Sequence, residues 1–301
     1  MKNDNGKQNL TDMNAAAAGP FFMLSAAILF TMFNLFVKLI GPGYTVWSIG
    51  FYRFFGGMVI LLMIFGRHRN IYKGENIHLL IIRGCTGSIA FISLIIAIRL
   101  LPVSTAIVIF YSYPAFSAIV SFLLYGERIG ILETLCIIIV LIGTGVLFNF
   151  HPGSGHALFG QIMAVVGAVF AGLTVTLIKT LREKNGPVII YLYFCTMGTL
   201  VTAPMFGMHC VFPSTLMEGV MVLGIVFSSL AAQLLMNQGF FYCRGWEGGV
   251  FMSGEVIFTA IIGIVFLGDP ATWHFWTGGF MILGSVAALN GLMANNRKNN
   301  K

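Results

Sequence analysis

Glu255 has the clearest capacity for chemistry in this sequence, because it is a carboxyl group inside a long apolar stretch, 246–267. A charged side chain near the middle of a membrane-spanning helix costs about 2.5–3.5 kcal/mol on insertion scales, and such residues are normally functional and turned inward. The carboxyl could carry a proton or contact a cationic group of a bound solute. A carboxyl that only hydrogen-bonds a neighbouring helix is the alternative, and we expect the functional role.

Arginines lie inside two other apolar stretches. Arg53 lies well within the stretch 44–66, where it could bind an anionic solute or pair with Glu255. Snorkelling of its long side chain, or a role in packing, is the alternative. Arg83 lies close to the start of the stretch 79–100 and is expected to be structural.

Amides and tyrosines add polar atoms at membrane depth. Amides inside apolar stretches could hydrogen-bond a solute, or join two helices at about 0.6–2 kcal/mol per bond. Two tyrosines precede Pro114, which removes a backbone donor and predicts a broken helix; aromatic packing is the alternative to solute binding there. With the charged residues, the candidate solute-binding set is Asn34, Arg53, Tyr111, Tyr113, Gln233, Asn237 and Glu255.

No catalytic or cofactor-binding motif accompanies these residues. The sequence contains no HExxH, GxSxG or GxxxxGK[ST] pattern, and its six histidines lie in loops or near the ends of apolar stretches. None of the five cysteines belongs to a CxxC pair, so neither a zinc site nor a disulfide framework is expected. We expect no metal, no cofactor and no enzymatic activity.

Composition indicates the elements that must position these residues. The 301-residue chain is 57% hydrophobic and only 9% charged, against roughly 45–50% apolar and about 25% charged in soluble domains. Its net charge of +7 comes from basic residues in short loops, which is typical of membrane topology and excludes nucleic acid as a partner. Ten apolar stretches are long enough to span a bilayer: 19–40, 44–66, 79–100, 103–125, 130–150, 157–180, 187–208, 214–238, 246–267 and 272–294.

The distribution of basic residues predicts an orientation. If the N-terminus is cytoplasmic, most of the 17 Lys and Arg residues lie in loops on that side, including Arg69, Arg128 and Arg244. An even number of spans then returns the C-terminus to the same side. We expect a multi-pass protein of a plasma membrane, of the bacterial inner type, with both termini cytoplasmic.

An internal repeat relates the two parts of the chain. Residues 26–38 align with residues 167–179 at an offset of 141, which places Lys38 on Lys179. Each lysine ends the first span of its part. We expect both to be membrane anchors, with a role in gating as the alternative.

A second alignment has nearly the same offset. Residues 113–127 align with residues 255–269 at an offset of 142, so that an acidic residue, Glu127 or Asp269, follows a glycine in both copies. Chance similarity between apolar helices is the alternative. The nearly constant offset indicates a five-span unit used twice, and because five is odd the copies must have opposite orientations. Inverted repeats recur in secondary transporters, with the binding site near the bilayer midplane.

These observations predict an all-α integral membrane protein of ten transmembrane helices, arranged as two inverted five-helix repeats. Polar tails flank the repeats, and we expect both tails to be disordered. The predicted units are a cytoplasmic tail, the two repeats and a second cytoplasmic tail, at residues 1–14, 15–150, 157–294 and 295–301.

The stretch from Ala97 to Arg128, AIRLLPVSTAIVIFYSYPAFSAIVSFLLYGER, resembles the fourth-span signature of EamA-type transporters of the drug/metabolite transporter superfamily. The C-terminal part carries a degenerate copy, SGEVIFTAIIGIVFLGD. The resemblance implies a ten-helix inverted-repeat carrier for amino acids, nucleobases, vitamins, nucleotide-sugars or other organic metabolites. Members often have Glu-Pro in this span, whereas here one copy keeps Pro114 after Tyr113 and the other keeps Glu255 before Val256.

The sequence therefore predicts a secondary transporter that moves a small polar organic solute by alternating access. A proton coupled through Glu255 and facilitated exchange without an ion are both compatible with it. The expected partners are the solute and the lipid bilayer, for a monomer or homodimer. The alternative function is a non-transporting membrane receptor or scaffold.

Overall fold

Apolar sequence of this kind folds into helices, since a helix satisfies its own backbone hydrogen bonds where no water is present. The computed structural model describes residues 4–67, 72–126, 130–147, 155–242 and 251–299, and within them it contains helices and no strands. Several residues used to predict topology lie outside these described residues: Arg69, Glu127, Arg128 and Arg244.

Eleven helices of eight or more residues lie in the described ranges. The first half of the chain contains six helices: α1 Asp4–Leu39, α2 Val46–Phe65, α3 Ile77–Leu100, α4 Val103–Phe110, α5 Tyr113–Tyr125 and α6 Ile131–Val146. The second half contains five: α7 Gly155–Arg182, α8 Pro187–Met208, α9 Leu216–Tyr242, α10 Gly254–Phe266 and α11 Trp273–Asn299. α1 begins at Asp4, within the segment predicted as the first tail.

The protein is an all-helical, multi-pass membrane protein. By length and composition, 7 described helical stretches can cross a membrane, with α4 and α5 counted together as Val103–Tyr125. The remaining apolar helices, Ile131–Val146 and Gly254–Phe266, are shorter than a full span. The predicted count of ten spans, in which α6, α10 and α11 are spans as well, stays a prediction.

Helix boundaries recur along the chain at the offset of the sequence repeat. α2 begins at Val46 and α8 at Pro187, an offset of 141. α5 and α10 begin at Tyr113 and Gly254 and are both 13 residues long. A left-handed glycine follows each of them, with φ of 65° at Gly126 and 69° at Gly268.

The first helix of each half packs against helices of the other half. α1 packs on α9 and α10 of the second half, and α7 packs on α3, α4 and α5 of the first half. α2 packs on α8, and α6 packs on α11. Contact between α7 and α5 is close because Gly172 has no side chain, and a Cβ there would lie 2.7 Å from the Ser117 backbone nitrogen. Such a reciprocal pattern is what two related halves would give.

One end of the bundle, here called the Lys38 end, is where α1 and α3 finish. Lys38 Nζ donates hydrogen bonds to the carbonyls of Ile98 (3.0 Å) and Leu101 (2.6 Å). Asp269 of the second half accepts hydrogen bonds from the Ser104 amide (2.9 Å) and hydroxyl (2.7 Å) of the first half. Lys38 is thus half-buried against the end of α3 and closes the carbonyl end of that helix.

The opposite end, here called the Asn185 end, also joins the halves. Asn185 Oδ1 accepts a hydrogen bond from the Glu75 amide (2.8 Å), and Asn185 Nδ2 donates to the Glu75 carbonyl (3.0 Å). A salt bridge of 3.6 Å between Lys184 and Glu75 lies beside them. Hydrogen bonds between the halves therefore flank the interior at both ends.

Candidate functional site

A cavity of about 140 Å³ lies between the two halves. Its walls come from α1, α2, α3, the break between α4 and α5, α7, α8, α9 and the start of α10. Six of the seven candidate residues line it: Asn34, Arg53, Tyr111, Tyr113, Gln233 and Glu255.

Glu255 is 7% exposed and anchors a hydrogen-bond network in this cavity. Asn34 Nδ2 donates to Glu255 Oε1 at 2.9 Å, and the Tyr111 hydroxyl lies 2.8 Å from Glu255 Oε2. Glu255 also lies in the first turn of α10, where the positive end of the helix dipole favours a carboxylate. The chain thus supplies this buried acid with partners from the other half.

The helix break predicted from Pro114 lies at Tyr111-Ser112, between α4 and α5. Pro114 falls at the beginning of α5, where the missing amide hydrogen has no intrahelical acceptor to lose. The break turns the Tyr111 hydroxyl toward α10, and there it lies 2.7 Å from the Met252 carbonyl as well as 2.8 Å from Glu255. With one hydrogen to donate, the hydroxyl can serve only one of these acceptors at a time.

Arg53 is 3% exposed, and aromatic rings surround its guanidinium. The guanidinium carbon lies 3.6 Å from the centre of the Phe91 ring and 5.1 Å from that of Phe33. No ion pair joins Arg53 to Glu255 in the described residues, so the predicted alternative of direct pairing is not found. Within the same residues Arg53 Nε has no hydrogen-bond partner.

Arg83 is the cavity residue that sequence reasoning missed. It is 1% exposed, its guanidinium carbon lies 4.4 Å from the centre of the Phe194 ring, and it lines the cavity. Its Nε and Nη1 atoms have no hydrogen-bond partner among the described residues. Helical spacing could have found it, because Gly87, Ala90 and Phe91 follow at the intervals of one helix face and also line the cavity.

The two amides of α9 have different positions. Gln233 lines the cavity, whereas Asn237, one turn further along, does not. Asn237 is fully buried, and both polar atoms of its side chain lack hydrogen-bond partners in the described part of the chain. Asn237 therefore does not line this cavity, and its role in solute binding stays a prediction.

Equivalent positions of the two halves meet in this cavity. At an offset of 141, Asn34 corresponds to Val175, and Arg53 corresponds to Phe194. At an offset of 142, Tyr113 corresponds to Glu255. All six residues line the cavity. The described residues contain no group of three or more His, Cys, Asp or Glu side chains that could hold a metal ion.

Comparison with known proteins connects this geometry to transport. A family model described as the EamA-like transporter family matches residues 17–149 and again residues 158–291. The two matched segments begin at residues 17 and 158, an offset of 141, which equals that of the internal repeat.

Two relatives and a solved structure align along most of the chain. The pseudopaline exporter CntI of Pseudomonas aeruginosa is 24% identical over 282 residues, covering 91% of this chain and 96% of the exporter. Solute carrier family 35 member G1 of Homo sapiens is 24% identical over 279 residues, covering 87% of this chain and 75% of that protein. A crystal structure of a protein with 19% identity superimposes with a TM-score of 0.62, covering 92% of this chain and 97% of that one, which shows a shared fold.

Proposed function

Because the chain belongs to the EamA-like transporter family, we propose that it is a secondary transporter that moves a small polar organic solute by alternating access. The observation that carries this proposal is the cavity between the halves, which contains a buried carboxyl, two buried guanidinium groups and two buried amides. Such groups are costly inside a membrane and normally mark a substrate or ion pathway.

We propose that the two repeats span residues 15–150 and 157–294 with five spans each, in opposite orientations, and that both termini are cytoplasmic. Reciprocal packing of α1 on α9 and of α7 on α3 supports this arrangement. In the proposed cycle the halves rock about the cavity. Opening the Lys38 end separates Asp269 from Ser104, and opening the other end separates Asn185 from Glu75.

The test is transport by the purified protein in liposomes. A panel of amino acids, nucleobases, vitamins and small organic acids is first screened for a rise in the melting midpoint, since a ligand stabilises the state it binds. Solutes that raise the melting midpoint are then tested for counterflow. Efflux is measured first, because the Pseudomonas relative is named as an exporter. Saturable counterflow is expected. A receptor or scaffold would bind a solute without any flux, and that result would refute the transport proposal.

Proton coupling is tested separately with Glu255→Gln, which keeps the side-chain shape and removes the titratable group. If a proton moves with the solute, wild-type transport changes with pH and the variant loses that dependence. Glu75→Gln is the matched control, because Glu75 is a carboxyl 67% exposed at the Asn185 end. A Glu255→Gln profile that follows wild type across pH assigns the protein to facilitated exchange.

A further inference from the structure

The two arginines of the cavity carry guanidinium N–H groups that have no acceptor among the described residues. Arg53 Nε and Arg83 Nε and Nη1 have no hydrogen-bond partner in the described residues, although Arg53 is 3% and Arg83 1% exposed. The carboxyl of the cavity, Glu255, is instead bonded to Asn34 and Tyr111. The Glu255 carboxyl therefore accepts hydrogen bonds from Asn34 and Tyr111 and not from the arginines. The guanidinium N–H groups named above have no acceptor in the described residues.

Aromatic rings pack against both guanidinium groups, but they supply no acceptors for the N–H groups at the guanidinium edge. The Arg53 guanidinium lies over Phe91 at 3.6 Å, and that of Arg83 lies over Phe194 at 4.4 Å. The ring faces stabilise the positive charge, but the N–H bonds lie in the guanidinium plane and need acceptors at its edge. A buried charge with unmade hydrogen bonds is strongly unfavourable, so an acceptor on a bound solute would offset part of that cost.

We infer that the transported solute carries a carboxylate, and that Arg53 and Arg83 bind it at the edges of their guanidinium planes. This inference rests on the proposed transport function and names its substrate class. A planar carboxylate matches the fork of a guanidinium and gives short, charge-assisted hydrogen bonds.

Charge balance favours a monocarboxylate. Arg53 and Arg83 bring two positive charges to the cavity and Glu255 brings one carboxyl. With Glu255 ionised, a single carboxylate on the solute makes the occupied cavity neutral. The remaining walls are largely apolar and include Phe33, Phe91 and Phe194, which suits a solute whose other end is apolar.

The first experiment uses matched probe pairs and the wild-type protein. Benzoate and phenylacetate are compared with benzamide and phenylacetamide, and benzyl phosphate is added as a second oxyanion. The carboxylates are expected to raise the melting midpoint and to compete for transport, with apparent affinities at least 10-fold higher than those of their amides. If the amides bind as well as the carboxylates, or if only benzyl phosphate binds, the inference is wrong.

The second experiment removes each donor group. Arg53→Gln and Arg83→Gln are each expected to weaken carboxylate binding about 10-fold or more, with benzamide binding unchanged. Arg67→Gln is the control, because Arg67 is an exposed arginine at the end of α2. Since each variant also removes a buried cation without acceptors, its melting midpoint without solute should equal or exceed that of wild type. A lower midpoint combined with unchanged carboxylate affinity would show a purely structural role.

The two proposals fail in different ways. Saturable transport of neutral or cationic solutes, with carboxylates excluded, overturns the carboxylate inference and leaves the transport function intact. Binding of carboxylates without flux of any solute in the panel supports the carboxylate site and refutes the transport function.

Discussion

The two halves of the molecule present different chemistry at equivalent positions of one cavity. Asn34 and Arg53 of the first half correspond to Val175 and Phe194 of the second, and all four line the cavity. Arg53 and Phe194 lie on α2 and α8, whose first residues, Val46 and Pro187, differ by the same offset of 141. A repeated backbone is suited to two alternating arrangements of the same helices, whereas the unequal side chains place a polar group on only one half at each of these pairs of positions. The repeated backbone thus supports the proposed motion between the halves, and the side chains that differ between them support recognition of the solute.

The largest expected effect comes from making the second half resemble the first at Phe194. Its ring centre lies 4.4 Å from the Arg83 guanidinium carbon and 5.6 Å from that of Arg53. Phe194→Arg therefore buries a third cation beside two others. Removing the partner of a buried charge costs about 3–5 kcal/mol, and we expect a loss of similar size in the free energy of unfolding.

Phe194→Leu is the matched control for that variant, because it removes the ring without adding charge. Both variants are measured by reversible denaturation in detergent. We expect Phe194→Arg to be the less stable of the two by at least about 1.4 kcal/mol, a factor of ten in the unfolding equilibrium. Equal stabilities would mean that charge does not explain why the halves differ here.

A smaller effect is expected at Asn34 and Val175. Asn34→Val removes the donor to Glu255 Oε1, and leaving a buried acceptor unsatisfied costs about 1–3 kcal/mol. Val175→Asn adds an amide at a position that is only partly buried, where water in the cavity can solvate it. We expect the first variant to lower the melting midpoint more than the second. The reverse order would mean that the polar side chain of this pair is not specifically needed on the first half.

The sequence predicted features that depend on chain position and left open those that depend on helix rotation. Glu255 was found by its depth in an apolar stretch, and the break at Tyr111-Ser112 by Pro114. Arg83 was missed, because distance from a helix end does not show which way a side chain points. Asn237 lies one turn after Gln233 on the same face of α9, yet only Gln233 lines the cavity. How far the cavity extends along that face depends on the packing between helices, which the sequence does not give.

The membrane spans, too, could be predicted only in part from the sequence. Seven of the ten predicted stretches coincide with described helices that are long and apolar enough to cross a membrane. The stretches predicted at 130–150 and 246–267 are represented by the shorter helices Ile131–Val146 and Gly254–Phe266. Helix ends respond to local breaks such as the turn at Ser253, and an apolar stretch alone does not locate such a break.

The smallest effect tests the symmetry of the scaffold instead of its divergence. Thr259 of α10 corresponds to Ser117 of α5 at an offset of 142, and each hydroxyl bonds the first helix of the other half. The Thr259 and Thr31 hydroxyls are 3.2 Å apart, and those of Ser117 and Thr176 are 2.9 Å apart. We expect Thr259→Val and Ser117→Ala to destabilise the protein equally, by about 0.6 kcal/mol each, the average for such bonds between membrane helices.

Equal effects follow only if the two bonds support equivalent contacts between the halves. Because the pairs share no partner, the double variant should lose the sum of the single losses, to within about 0.5 kcal/mol. Denaturation of the four proteins in one detergent measures both statements. If Thr259→Val cost several times more than Ser117→Ala, the asymmetry of the cavity would extend into the scaffold, and a rocking motion between equivalent halves would lose its structural basis.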